Sequence, residues 1–170
     1  VNADAELATT SGATKIWTPT FEEVYPNDPE IIASGEIGNL FEGVHRFGHF
    51  DGMLTVVKRL FDLVQPKFAI FGEKDFQQLF LIKRMVAQMQ LPIEIIAAPT
   101  IRESSGLAMS SRNQKLSITE RENAAGIYKA LNLANSASDL TTARSQLTKE
   151  ILAIPNFLLD YAEIFDGESF

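Results

Sequence analysis

The chain has 170 residues and a mass of 18.8 kDa, with 45% hydrophobic residues and a mean hydropathy near zero, which suits one domain or one and a half with a sizeable core. A formal net charge of −7 excludes sequence-independent nucleic-acid binding through a basic surface, though not a small anion held by a few cations focused in one cleft. Cysteine is absent, which excludes disulfides and Cys-ligated zinc, and no apolar run approaches the roughly 18 residues of a membrane span.

In chain order, Ala3 to Ser11 reads as a helix stopped by Gly12. Lys15-Ile16-Trp17 reads as a short strand, and Thr20 to Tyr25 as a helical turn closed by Pro26. An irregular, Gly-rich stretch runs from Asn27 to His49. Leu54, Val57, Leu60, Phe61 and Val64 recur at helical spacing and predict a helix over 50–64, ended by Pro66. Phe68 to Phe71 is a short apolar run that predicts a buried parallel strand; a helix over 76–89 and a second buried strand over 92–97 follow. That alternation is the rhythm of a doubly wound α/β sheet. Beyond Pro99 the texture changes to a polar stretch over 101–113. Ser117 and Glu120 then make a capping box opening a helix to about Asn135, a further helix starts at Asp139 or Thr141, and 158–165 reads as a strand. These elements predict two domains, 1–100 and 101–170.

Three stretches carry chemistry. Phe71-Gly72-Glu73-Lys74-Asp75-Phe76-Gln77-Gln78 lies at the carboxyl end of a strand and opens a helix, the place where open α/β sheets bind ligands and where free N–H groups and the helix dipole favour anions. Gly72 leaves room for a ligand against the backbone, and Lys74 offers a charge to a phosphate. The blander alternative makes Asp75 and Gln78 a capping box and Lys74 a solvated residue. In Met109-Ser110-Ser111-Arg112 two hydroxyls stand beside a guanidinium, a set that wraps phosphate or merely caps a turn. His45-Arg46-Phe47-Gly48-His49 holds both histidines. Gly48 interrupts helical spacing between them, so Arg46 and His49 read as ligands for an anionic substrate, or as loop residues, in preference to a zinc site.

The order of Glu42-Gly43-x-x-Arg46-x-x-His49-Phe50-x-Gly52, Phe71-Gly72-Glu73-Lys74-Asp75-x-Gln77-Gln78-Leu79 and Gly106-Leu107-Ala108-Met109-Ser110-Ser111-Arg112-Asn113 resembles the pantothenate synthetases. The resemblance implies a Rossmann-like, nucleotidyltransferase-type parallel sheet, here partial, followed by a small α+β C-terminal lid domain. It implies an AMP-forming ligase that joins pantoate to β-alanine through a pantoyl adenylate, using ATP and Mg²⁺, in a cytoplasmic homodimer. Gly72 and Asp75 would meet the ATP ribose and Lys74 its phosphates. Ser110, Ser111 and Arg112 would clamp the phosphates, and Ile101 and Met109 would lie near the adenine. Gln78 would bind pantoate, with Arg46 and His49 lining the same site.

The family's His-x-Gly-His signature is not in this sequence, the chain does not begin with Met, and the second domain reads as unfinished. The expectation is therefore a piece of a longer protein that makes no pantothenate alone and leaves apolar sheet surface uncovered. The competing readings are an inactive fragment with partial nucleotide binding, and another nucleotidyltransferase of the same fold.

Overall fold

The computed structural model describes residues 2–170. Helix α1 (Asn2–Thr10) is followed by Gly12 at φ +97°, a backbone geometry that costs glycine little. Helix α2 (Phe21–Val24) opens on a reciprocal capping box, in which the Thr20 hydroxyl accepts from the Glu23 N–H and the Glu23 carboxylate accepts from the Thr20 N–H. The stretch read as irregular contains two short helical pieces, a 3-10 turn (Glu36–Asn39) and α3 (Glu42–His45). Gly48, left-handed at φ +71°, then lets the chain turn into α4 (His49–Val64).

Strands β1 (Phe68–Gly72) and β2 (Glu94–Ala98) pair in parallel, with Ile70 opposite Ile96, and α5 (Phe76–Gln88) makes the crossover between them. Helices α4 and α5 cover one face of this sheet. Phe50, Leu54, Phe61, Leu81, Ile82 and Met85 form the core there, with Ala69, Phe71 and Ile95 packed against it from the strands. Burying each large apolar side chain contributes about 1.5–3 kcal/mol. The strands are not buried on both faces as their composition suggested: Phe68 and Ile70 point the other way and are 58% and 67% exposed. Uncovered apolar sheet surface is thus present, as expected.

After β2, α6 (Ile118–Ala124), α7 (Gly126–Asn135) and α8 (Leu140–Leu152) follow. The single helix expected over 118–135 is two, jointed at Ala125 just before Gly126, a poor helix former. Ser117 and Glu120 form the expected capping box, and Asp139 caps α8. Ala130, Ala134, Ala143, Leu147 and Ile151 build a second core, and Leu107, Ala124 and Ala125 a third.

Two expected strands are absent from the described residues. At 15–17 and 158–165 no neighbouring strand pairs with the chain, and without a ladder an extended segment leaves its backbone groups to other partners. In the second segment Leu159, Ala162 and Ile164 pack inward on the α7–α8 core as a strand face would. The Ile164 carbonyl, however, accepts from Arg144 Nη2 at 2.6 Å instead of from a ladder.

Candidate functional site

The carboxyl end of β1 runs into a 3-10 turn (Glu73–Asp75) and then α5, so Lys74 has a fixed backbone and a free side chain at the mouth of the sheet. Lys74 Nζ donates to Asp75 Oδ1 at 3.2 Å, with both groups substantially exposed. Asp75 does not cap α5, so the capping-box reading of Asp75 and Gln78 is overturned. Gly72 is exposed, and a Cβ there would meet no atom within 4 Å.

A cavity of about 570 Å³ opens here, within the usual range for small-molecule sites. Lys74, Asp75 and Gln78 line it from β1–α5, Arg46 and His49 from the α3–α4 join, and Ser110 and Arg112 from the loop before α6. Seven of the residues singled out in the sequence, from three separate stretches, thus share one cavity. Gly72, Ile101, Met109 and Ser111 lie outside its lining. Ile101 and Met109 are exposed and joined across a hairpin, the Met109 N–H donating to the Ile101 carbonyl at 2.9 Å.

The lining is more cationic than the protein. Arg46, Lys74 and Arg112 face two carboxylates, Glu42 and Asp75, on a chain whose net charge is −7. Glu42 is held by Arg46 at 3.4 Å and Asp75 by Lys74, whereas Arg112 has no ion pair among the described residues. Burial lowers the pKa of His49 from 6.5, aided by Arg46 and Arg112 and opposed by Glu42, so its imidazole is neutral at pH 7. Among the described residues no three His, Asp or Glu side chains converge to hold a metal.

Part of the lining is aromatic, and sequence reasoning missed it. Tyr161 and Phe165, within the segment expected as a strand, line the cavity together with Phe41, Phe76 and Phe170. Phe41 stacks on Phe165 at 5.1 Å and tilts against Tyr161 at 5.5 Å. Its backbone sits at φ +47°, a costly geometry for a bulky residue that its aromatic partners offset. Nothing in the local pattern around Phe41 signals this. Burial raises the Tyr161 pKa, with Glu42 and Asp160 adding to it.

Gln77 was also missed. Its Nε2 donates to the Ile37 carbonyl at 2.8 Å and the Leu40 carbonyl at 2.9 Å, pinning the 36–40 segment to the start of α5. Ser110 Oγ accepts from the Arg112 N–H at 3.2 Å. The turn-capping role is therefore real, and it leaves the Ser110 hydroxyl proton free to donate.

Comparison with known proteins finds the pantoate-beta-alanine ligase family matched over residues 1–170. A pantothenate synthetase of Acidothermus cellulolyticus is 42% identical over 174 residues, covering 100% of this chain and 57% of that protein. The crystal structure of pantothenate synthetase from Thermus thermophilus superposes with a TM-score of 0.87 at 39% identity, covering 98% of this chain and 63% of that one. The ligase of Francisella tularensis, complexed with beta-gamma ATP and beta-alanine, gives 0.69 at 35% identity over 88% of this chain and 57% of its own. The chain thus spans little more than half the length of the relatives it matches.

Proposed function

The chain belongs to the pantoate-beta-alanine ligase family, and we propose that it carries the ATP- and pantoate-facing part of an enzyme that condenses pantoate with β-alanine. The observation that carries this reading is the meeting of Arg46 and His49, Lys74 and Gln78, and Ser110 and Arg112 around one cavity. A carboxylate is already ionised at neutral pH and needs no general base to attack the α-phosphorus of ATP. Catalysis then rests on positioning and on cations aimed at the charge that develops on the phosphates.

In this reading Lys74 and Arg112 neutralise the departing pyrophosphate, and the Ser110 and Ser111 hydroxyls donate to its oxygens. Gln78 hydrogen-bonds pantoate beside Arg46 and neutral His49. Gly72 and Asp75 take the ribose, and Ile101 and Met109 the adenine. Gly72, Ile101, Met109 and Ser111 are assigned by family likeness, since they stand outside the cavity lining. A Mg²⁺ ion carried by the nucleotide phosphates would need few protein ligands here and would shield the triphosphate charge. In the second step the β-alanine amine attacks the adenylate carbonyl and AMP leaves. We further propose that 1–100 is the nucleotide-binding domain and 101–170 the lid, and that the whole protein is a cytoplasmic homodimer.

The test is a chimera in which residues 1–170 replace the matching segment of the Acidothermus relative. Pantoate-dependent pyrophosphate release from ATP, followed by β-alanine-dependent amide formation, supports the reading. A folded chimera that releases no pyrophosphate overturns it. Pyrophosphate release without pantoate, using another acid or alcohol, points to a different nucleotidyltransferase.

A further inference from the structure

The Ser110–Arg112 loop is held by a residue that does not itself line the cavity. Residues 101–109 form a small hairpin in which the Glu103 N–H donates to Leu107 O at 2.8 Å and the Gly106 N–H to Glu103 O at 2.8 Å. Leu107 anchors this hairpin in the core with Ala124 and Ala125. Beyond it, the Asn113 N–H closes back on Ser110 O at 3.1 Å. Asn113 Nδ2 donates to the Ala108 carbonyl at 3.0 Å and to Glu103 Oε1 at 3.3 Å, so the two ends of the loop are tied together. The same carboxylate receives a fork from Arg121 of α6, with Nη2 to Oε1 at 2.7 Å and Nε to Oε2 at 3.1 Å.

We infer that Glu103 is the positioning residue of the phosphate-facing loop: by joining Asn113 at the loop's end to Arg121 on α6, it sets where Ser110 and Arg112 meet the cavity. This rests on the proposed reading of the site. It goes beyond that reading because Glu103 does not line the cavity and carries no role in that reading. The physical ground is geometric. A bidentate carboxylate–guanidinium pair fixes orientation as well as distance, and Arg112 has no ion pair of its own among the described residues to hold it. Remove the carboxylate and the hairpin keeps its backbone bonds and Leu107 anchor, but the loop loses its tie to α6.

The experiment uses the 170-residue chain and two readouts on Glu103→Gln, Asn113→Ala and Arg112→Ala. Hydrogen exchange should speed up about tenfold at residues 111–115 in the first two variants, with the amides of α7 and α8 unchanged. The ratio of ATP to AMP affinity should fall about tenfold in all three, with AMP affinity retained. Loop exchange in Glu103→Gln and Asn113→Ala equal to the parent overturns the inference. So does an equal loss of ATP and AMP affinity in Glu103→Gln, which marks a merely structural residue. If Arg112→Ala flattens the ATP preference and Glu103→Gln does not, the positioning inference fails while the reading of the site stands. If Arg112→Ala changes nothing either, the reading of the site fails.

Discussion

Ser34 Oγ lies 2.5 Å from Asp51 Oδ1, and the Ser34 N–H donates to the same oxygen at 2.8 Å. With Thr55 Oγ1 accepting from the Ile32 N–H at 3.0 Å, this ties the 32–34 segment to α4, ahead of the residues that carry Phe41 and Arg46. The two Ser34 hydrogen bonds lower the Asp51 pKa from 3.8. A depressed carboxylate contributes stability that is present above its unfolded value and lost as pH falls through its folded one. Asp51→Asn should cost about 1–2 kcal/mol at pH 7, and the difference from the parent should shrink progressively as pH falls below 3.8. Urea unfolding across that range checks it; a constant difference down to low pH would refute the ion's role.

Gln77 supplies two donors to two carbonyls, Ile37 and Leu40. Gln77→Leu should therefore cost about 1–2 kcal/mol through the loss of these two bonds, each carbonyl keeping a backbone donor, the Leu40 N–H on Ile37 and the Gly43 N–H on Leu40. Gln77→Glu should cost more than Gln77→Leu, since a carboxylate would face carbonyl oxygens. Thermal unfolding ranks the two, and a Glu variant as stable as the parent would show that Nε2 is not the group in contact.

How much of this was legible in the sequence depends on the range of the interactions. Helix α4 follows from the helical spacing of its apolar residues, strands β1 and β2 from short apolar runs, and α8 from its Asp139 start, all of them local signals. Arg46, Lys74, Gln78, Ser110 and Arg112 stood out as chemistry-bearing types beside turns, and they do share a cavity. The segment at 158–165 failed because pairing needs a neighbour that its own pattern cannot supply. Phe41 and Gln77 were unreadable for a similar reason: their partners lie 124 residues on, at Phe165, and 37–40 residues back, at Ile37 and Leu40.

Gly106 holds φ +92°, and a Cβ there would come within 2.6 Å of Tyr128 Cδ1. The Tyr128 ring also carries the Arg102 guanidinium 4.0 Å from its centroid. Gly106→Ala should cost about 1–3 kcal/mol through strain and crowding together. Adding Tyr128→Ala removes the crowding but not the strain, so the double variant should recover part of the loss measured against Tyr128→Ala alone. Full additivity would mean the ring is not the obstacle.

His49 is neutral at pH 7 because burial, Arg46 and Arg112 lower its pKa from 6.5. Its folded state therefore binds protons less readily than the unfolded chain, and stability should fall as pH drops below 6.5. A bound pantoate carboxylate would reverse this locally by favouring the imidazolium, so pantoate affinity should rise severalfold on acidification through the folded pKa. Calorimetry on the parent and His49→Asn tests it, with the variant expected to lose that extra rise.

The most direct measurement is calorimetric binding of ATP and AMP to the chain and to Lys74→Ala. Lys74 is exposed and, among the described residues, paired only with exposed Asp75, so its removal should change stability by less than about 0.5 kcal/mol. The parent should prefer ATP to AMP, and Lys74→Ala should weaken ATP about tenfold while leaving AMP nearly unchanged, as expected for a cation that meets the outer phosphates. Equal affinity for ATP and AMP in the parent, or an ATP affinity unmoved by Lys74→Ala, would contradict a triphosphate site in this cavity.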